Sequence, residues 1–340
     1  MSGPGTHVHV MGAGAFGTAL AMALGRVDAP DRYLSYEEAL ARGPTPRRVT
    51  LWGRDEAVID AMADLRRSDL LDAPLPGAVI PTSDPDPGDA DAVLLCVPMQ
   101  RLGDLLAAHG ARLQGRTLVA CCKGIDLATG AGASALIERH VAGARAAMLT
   151  GPSFAADIAA GLPTALTLAV RDGGARLQGV LSTEALRLYL TDDVTGAEIG
   201  GALKNVTAIA CGAAIGAGLG TSARAALMTR GHAEATRLAV ALGARAETLA
   251  GLSGLGDLAL TCHSELSRNY RLGLALGRGE AFEASVTVEG AATARAALPL
   301  ASRLGVDMPV AEATVALLEG QGPREVAAAL LTRPLRSETV

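Results

Sequence analysis

His7-Val8-His9-Val10-Met11-Gly12-Ala13-Gly14-Ala15-Phe16-Gly17-Thr18-Ala19-Leu20 decides the fold. A short apolar run, His7 to Met11, enters a G-x-G-x-x-G turn and leaves it in an apolar helix from Thr18 to Leu24. Strand, glycine turn and helix in that order form the setting in which this pattern binds a dinucleotide. Gly12 permits the tight turn, Gly14 lets the backbone approach a pyrophosphate, and Gly17 lets helix and strand pack closely. Unpaired N–H groups at the helix start then face the phosphates.

Working outward, the second strand is expected at Arg48-Val49-Thr50-Leu51-Trp52-Gly53. It comes late, and Val27 to Arg47 reads as an insertion with one short helix, either a surface elaboration or a flap near the adenine end of the cofactor. Nucleotide domains of this type place a ribose-binding carboxylate at the end of the second strand. Here Gly53 holds that place and Arg54-Asp55 follow. An arginine there pairs with a 2′-phosphate, so NADP(H) is favoured, while Asp55 keeps NAD(H) open. Further strands are predicted at 92–97, 117–122, 146–150 and 164–170, with amphipathic helices between the earlier ones, such as Gln100 to His109. The alternation predicts a doubly wound Rossmann-type sheet. Ligands bind such sheets at the carboxyl ends of strands, where Lys123 and Ser153 lie. After Asp193 the helical period takes over, over 200–216, 223–242, 310–318 and 324–331. The expected organisation is a nucleotide-binding domain over 1–193 and an all-α substrate and catalytic domain over 194–340, with a loose tail from Arg333 to Val340.

Composition excludes several classes. The 340 residues suit two domains, and 49% hydrophobic residues can bury a sizeable core, built from Ala, Leu and Val because aromatics are only 2%. A formal net charge of -5 argues against a nucleic-acid or membrane-surface binder. The start carries no basic and apolar leader, and no uninterrupted apolar run is long enough to span a bilayer, so a cytoplasmic protein is expected. Cys96, Cys121, Cys122, Cys211 and Cys262 are odd in number and without a C-x-x-C pair, which fits reduced packing thiols. The six histidines show no metal-ligand spacing, so no metal is expected. His7 and His9 alternate on a strand, as packing or solvent-facing residues do. Arg230 and Arg271 read as helix-surface charges.

Basic residues number 30, yet only two are lysines, Lys123 and Lys204. Arginine serves for surface charge but does not release a proton at working pH, whereas a desolvated lysine does. Around these lysines stand Cys122-Lys123-Gly124, Gly151-Pro152-Ser153-Phe154-Ala155, Gly201-Ala202-Leu203-Lys204-Asn205-Val206, and Gly254-Leu255-Gly256-Asp257-Leu258 with Ser267-Arg268-Asn269. With the glycine fingerprint, these ordered segments resemble the bacterial-type NAD(P)-dependent glycerol-3-phosphate dehydrogenases from about Val8 to Leu330.

The resemblance implies Lys204 as proton donor and acceptor, and Lys123 as a contact of substrate and cofactor. It implies Gly151 and Ser153 for the substrate, Ala155 for the cofactor, and Asp257 as a catalytic and substrate residue. Ser267, Arg268 and Asn269 are implied for the substrate, with Arg268 also near the cofactor. Glu289 and Thr287, beside Val288-Glu289-Gly290, are implied cofactor contacts. Ala15 and Phe16 line the cofactor in the glycine loop; the family often carries a hydroxyl residue where Ala15 stands. The long 27–47 segment also departs from the family pattern.

The chemistry agrees. Reduction of a ketone needs a hydride donor, a proton donor to the nascent alkoxide and charge stabilisation around it. A partly desolvated lysine donates readily, and an arginine with amide help suits a phosphate dianion. Two other readings stand beside this one. A 3-hydroxyacid or 6-phosphogluconate-type dehydrogenase shares the architecture but not the Gly-Leu-Gly-Asp and Ser-Arg-Asn segments. A nucleotide sensor without turnover has no need of Lys123, Lys204 and Asp257 together. The resemblance further implies a homodimer, with small molecules as its ligands and a product that feeds glycerophospholipid synthesis.

Overall fold

A computed structural model describes residues 6–26, 47–284 and 286–332. The insertion expected over 27–47 lies outside the described residues except for Arg47, and the tail from Arg333 lies outside them too. The chain forms two compact units. The first comprises Met1–Cys122, Ser134–Leu149 and Ser153–Asp192, and the second Lys123–Ala133, Thr150–Pro152 and Asp193–Val340. The main change of unit falls between Asp192 and Asp193, where the sequence turns helical. The strand-end loops carrying Lys123 and Gly151 belong to the second unit, because Ile125 is buried in the core of that unit.

The first unit alternates strand and helix: β1 (Thr6–Met11), α1 (Ala15–Gly25), β2 (Arg47–Trp52), α2 (Glu56–Leu65), a small hairpin β3 (Arg67–Ser68) and β4 (Ala73–Pro74), β5 (Val79–Thr82), β6 (Ala92–Leu95), α3 (Met99–His109), β7 (Thr117–Ala120), α4 (Ala133–His140), β8 (Arg145–Thr150), α5 (Ala155–Ala160), β9 (Thr164–Val170), α6 (Gly174–Leu181) and β10 (Leu186–Thr191). Eight strands make one sheet in the order β10-β9-β8-β7-β6-β1-β2-β5. Pairing is parallel from β5 through β8 and between β9 and β10. The order runs outward in opposite senses from β1 and β6, so the switch point lies between them. A crevice forms there at the strands' carboxyl ends.

The central strands read as continuous apolar runs, as a parallel sheet covered on both faces requires. Two edge strands, β5 and β10, are absent from the sequence prediction. β5 is four residues long and contains Pro81, which an edge tolerates, and β10 hides Leu186 and Leu188 while exposing Arg187 and Tyr189. His7 and His9 interrupt β1 on one face and are both buried. They share the Thr50 hydroxyl, His9 Nδ1 at 2.7 Å and His7 Nε2 at 3.0 Å, and His7 Nδ1 meets Asp89 at 2.7 Å. Burial, with His7 nearby, pushes the pKa of His9 down to about 4.

The second unit has helices α7 (Val194–Gly216), α8 (Gly220–Ala241), α9 (Ala246–Leu249), α10 (Asp257–His263), α11 (Arg268–Arg278), α12 (Glu289–Arg303), α13 (Pro309–Leu318) and α14 (Pro323–Leu331), with a π turn at Leu252–Gly256. None of its described residues lies in a strand apart from Thr150, at the end of β8. α7 is the axis of this unit. By length and composition it is apolar enough to cross a bilayer, which the sequence reading did not single out, but 89% of its most apolar window is packed inside the protein.

Asp193 caps α7 by accepting the Gly196 N–H, and its other oxygen accepts from the Arg245 N–H and the Thr248 hydroxyl, tying the start of α7 to α9. Gly212 and Gly216 of α7 meet Gly273 and Gly277 of α11 with backbone against backbone, an approach that any side chain blocks. Buried Glu234 of α8 accepts the N–H groups of Val310 at 2.6 Å and Ala311 at 3.2 Å, capping α13 from a distance. Burial outweighs these two bonds and pushes its pKa up to about 7.

Candidate active site

In the first unit the glycine turn forms an open cradle. Gly12 has φ +124°, and a Cβ there would lie 2.6 Å from the Cys96 carbonyl oxygen, so the turn accepts only glycine. A Cβ on Gly17 would strike the Gly12 carbonyl, which is the close helix-to-strand packing expected of the third glycine. Gly14, the residue before α1, is exposed, with open space where a Cβ would stand. No side chain caps α1, which leaves its first N–H groups to a ligand. This uncapped start beside an unobstructed glycine fits a pyrophosphate. Ala15 and Phe16 are half-buried in the first turn, and Phe16 and Ala155 both pack on the core of this unit. Ser153 is half-buried just beyond β8.

At the end of β2 a side chain on Gly53 would run into Ile59 and Ala13, so the carboxylate usual at that place has no room. Arg54 is exposed. Asp55 caps α2, accepting the Val58 N–H at 3.3 Å, so its carboxylate is engaged by its own helix.

The second unit gathers both lysines of the chain on one carboxylate. Asp257 opens α10 and is fully buried. One of its oxygens takes Lys123 Nζ at 2.5 Å and the other Lys204 Nζ at 2.5 Å. Lys123 also donates to the Gly151 carbonyl at 3.2 Å. Lys204 donates to the Thr261 hydroxyl at 2.8 Å, and that hydroxyl donates to the Asp257 carbonyl one turn back at 2.6 Å. Each ammonium has three N–H donors, so each keeps one uncommitted among the described residues. Burial first, and the Lys123 charge, push the pKa of Lys204 down, while Asp257 pulls it up; the outcome is about 8. The arrangement thus offers two adjacent donors, one of which gives up its proton near neutral pH.

Helix geometry builds the cluster. Asp257 and Thr261 are four residues apart, so both stand on one face of α10. Gly201, one turn before Lys204 on α7, leaves ordinary contact distance to the Lys123 stem, at 3.7 Å from where its Cβ would be. The loop after Lys123 closes through Asp126, which accepts the Thr129 N–H at 2.9 Å.

Ser267, Arg268 and Asn269 divide their work. Ser267 is buried and caps α11, its hydroxyl oxygen accepting the Tyr270 N–H. Arg268 is the first residue of α11 and exposed. The Asn269 amide donates to Asn205 Oδ1 at 2.9 Å and accepts the Gly290 N–H at 2.9 Å, which joins α11 to α7 and to the start of α12. Glu289 is half-buried at the head of α12, and Thr287 is exposed two residues earlier. Sequence reasoning missed Thr261 and Asn205. The signal for Thr261 was its i+4 spacing from Asp257, and for Asn205 its place beside Lys204. No group of three or more potential metal ligands occurs among the described residues.

Comparison with known proteins agrees with this geometry. Residues 7–175 match the model of the NAD-dependent glycerol-3-phosphate dehydrogenase N-terminus, and residues 193–329 match that of the C-terminus. The chain is 58% identical over 335 residues to the glycerol-3-phosphate dehydrogenase [NAD(P)+] of Cereibacter sphaeroides, covering 97% of this chain and 100% of that one. It is 57% identical over 337 residues to the protein of the same name from Ruegeria sp., covering 97% and 99%. A crystal structure of glycerol-3-phosphate dehydrogenase from Coxiella burnetii superposes with a TM-score of 0.84 at 29% identity, over 97% of this chain and 99% of that one. With both halves of the family model matched in order and the two lysines held on one buried aspartate, this chain belongs to the NAD-dependent glycerol-3-phosphate dehydrogenase family.

Proposed function

We propose that the protein interconverts dihydroxyacetone phosphate and sn-glycerol 3-phosphate with NAD(P)H, with Lys204 as the group that gives and takes the proton. The observation that carries this is the pair of lysines on the buried Asp257, one of them acidified by burial. When bound, the nicotinamide supplies or accepts the hydride. Lys204 delivers its uncommitted proton to the alkoxide oxygen as the carbonyl is reduced. Lys123 keeps its hold on Asp257, and its remaining N–H stabilises the same developing negative charge. Asp257 orients both ammoniums and keeps Lys204 protonated enough to act. Thr261 accepts from Lys204 and so aims the remaining proton.

Arg268, at the head of α11, is assigned to the substrate phosphate, which suits a planar multi-donor cation. Gly12, Gly14, Ala15, Phe16 and Gly17 are assigned to the cofactor pyrophosphate, and Ala155, Thr287 and Glu289 to the remainder of the cofactor. Gly151 and Ser153 are assigned to the substrate. The exposed Arg54, with Asp55 engaged as a cap, favours NADPH. Family resemblance supports a cytoplasmic homodimer whose product enters glycerophospholipid synthesis. The test is a spectrophotometric assay with dihydroxyacetone phosphate and each cofactor, in wild type and Lys204→Arg. Arginine keeps the charge without a transferable proton, so turnover should fall about a hundredfold or more while NADPH binding holds. Near-wild-type turnover in that variant would overturn the role of Lys204.

A further inference from the structure

Two glycines in succession, Gly200 and Gly201, stand one turn before Lys204 on α7. Glycine inside a helix is less favourable than alanine, so the pair needs a reason outside the helix. Each faces a different neighbour. A Cβ on Gly200 would lie 2.8 Å from the Ser253 carbonyl oxygen and 3.1 Å from the Gly254 Cα, both backbone atoms of the π turn. That turn is closed by the Gly256 N–H on the Gly251 carbonyl at 3.1 Å and runs without a break into Asp257. A Cβ on Gly201 would lie 2.6 Å from Thr150 Oγ1 and 3.7 Å from Lys123 Cγ. Thr150 is buried, and its hydroxyl has no hydrogen-bond partner among the described residues. The carbonyl that follows it, that of Gly151, accepts from Lys123.

The spacing matches on both sides of the first contact. Gly200 and Lys204 are four residues apart, and so are Ser253 and Asp257. The glycine contact and the Lys204–Asp257 ion pair therefore lie about one turn apart along both segments. Packing this close has no room for an added methyl group unless a neighbour moves. We propose that Gly200 and Gly201 are the positioning residues of the lysine cluster: Gly200 sets how near Asp257 stands to Lys204, and Gly201 how near Lys123 stands to it. Neither glycine has a contact with substrate or cofactor in this scheme; both act through Lys204.

The two neighbours act on Lys204 in opposite senses. Asp257 favours its charged form, and the Lys123 charge disfavours it. Alanine at position 200 has to open the 2.8 Å approach toward the 3.4 Å at which ordinary contact begins. Only backbone atoms and the Leu249 side chain face it, so the π turn and Asp257 give way. Alanine at position 201 pushes on Thr150 instead, and so shifts the Gly151 carbonyl that holds Lys123. The first substitution should lower the pH at which Lys204 titrates, and the second should raise it.

Because Lys123 and Lys204 are the only lysines, protein isotopically labelled at the lysine Cε gives two side-chain resonances, and Lys204→Arg identifies that of Lys204. The full chain is titrated as wild type, Gly200→Ala, Gly201→Ala, Gly256→Ala, and Gly201→Ala combined with Thr150→Ala. Alongside, kcat for dihydroxyacetone phosphate reduction is followed against pH. From about 8 in wild type, Lys204 should titrate about one pH unit lower in Gly200→Ala and higher, by less, in Gly201→Ala. Thr150→Ala should reverse the latter shift, since the Thr150 Cβ, at 3.5 Å, is in ordinary contact once the hydroxyl is gone. Gly256→Ala should not move the titration, because Gly256 is helical and a Cβ there meets nothing nearer than the Pro152 ring at 3.6 Å. An unmoved titration in Gly200→Ala and Gly201→Ala, both folded by their thermal midpoints, overturns the positioning role. So does an equal shift in Gly256→Ala, or a shift in Gly201→Ala that Thr150→Ala leaves in place. If Gly200→Ala does not fold, Gly201→Ala and its reversal decide alone. The catalytic meaning of the pair rests on Lys204 being the proton donor, and kcat separates the two. Resonances that move while the break in kcat stays fixed support the placement and overturn the donor reading.

Discussion

Asp257→Asn removes one charge and almost no volume from the centre of the lysine cluster. The carboxylate is fully buried and holds both ammoniums at 2.5 Å. Breaking a buried pair by deleting one partner is worth about 3 kcal/mol or more. Lys204 can avoid that penalty by losing its proton, and a pKa unit corresponds to about 1.4 kcal/mol. Its pKa, about 8 in the intact cluster, should then fall to about 6, by roughly 3 kcal/mol at about 1.4 per unit.

Reduction requires the protonated form, so the rate falls as pH rises through this pKa. At a pH of about 7.5 the protonated fraction drops from about three-quarters to about one-thirtieth, a loss of about 25-fold from protonation alone. The assay is kcat for dihydroxyacetone phosphate reduction against pH, with the thermal midpoint and NADPH binding as controls for folding. Wild type should break near pH 8 and the variant about two pH units lower, the two rates converging in acid. A variant that breaks at the wild-type pH with a rate within about threefold of wild type would show that Asp257 does not govern the proton on Lys204.

Arg268→Ala should weaken dihydroxyacetone phosphate binding by about 2 to 3 kcal/mol and leave the slow reduction of unphosphorylated dihydroxyacetone unchanged; equal losses for both substrates in kcat/KM would remove the arginine from the phosphate site. Arg54→Ala should erase an NADPH preference of roughly tenfold, about 1.4 kcal/mol, measured as the ratio of specificity constants for the two cofactors, and an unchanged ratio would refute the role. The buried His9 is neutral in the fold, with a pKa of about 4 against about 6.5 unfolded. Its contribution is therefore complete above pH ~6.5 and lost as pH falls toward ~4, about 3 kcal/mol in all. Thermal midpoints measured across that range should fall less steeply in His9→Phe than in wild type, and parallel curves would count against His9.

The sequence disclosed the cradle because its chemistry is local: Gly12, Gly14 and Gly17 act through spacing of a few residues along one turn. The lysine cluster was legible for a different reason, since Lys123 and Lys204 are the only lysines of the chain. That they meet on Asp257 was not legible as geometry, because the three residues come from three distant segments joined only by helix packing. Thr261 was hidden by its commonness, although its one-turn offset from Asp257 places it on the same face. Ser267 was expected at the substrate, and its side chain also caps α11, a second use that a serine before a helix has for its hydroxyl oxygen. β10 escaped notice because its alternation carries Arg187 and Tyr189 outward, as an edge strand does, and lacks the apolar continuity of the strands at the centre of the sheet.

Capture of the loops at Lys123–Ala133 and Thr150–Pro152 by the helical unit bears on how such enzymes can be recombined. A chimera that exchanges nucleotide domains by a single cut at Asp193 takes Lys123 and Gly151 from one parent, and Asp257, Lys204 and Thr261 from the other. The crossover then runs through an ion pair and through the seat of Ile125 in the helical core. The segment around Gly53 and Arg54, to which we assign cofactor preference, is grafted without that damage when the incoming segment ends at Cys122. The piece of inheritance that carries the lysine–aspartate cluster is therefore not a continuous stretch of chain: it is the helical unit together with two short loops that the linear order assigns to its neighbour.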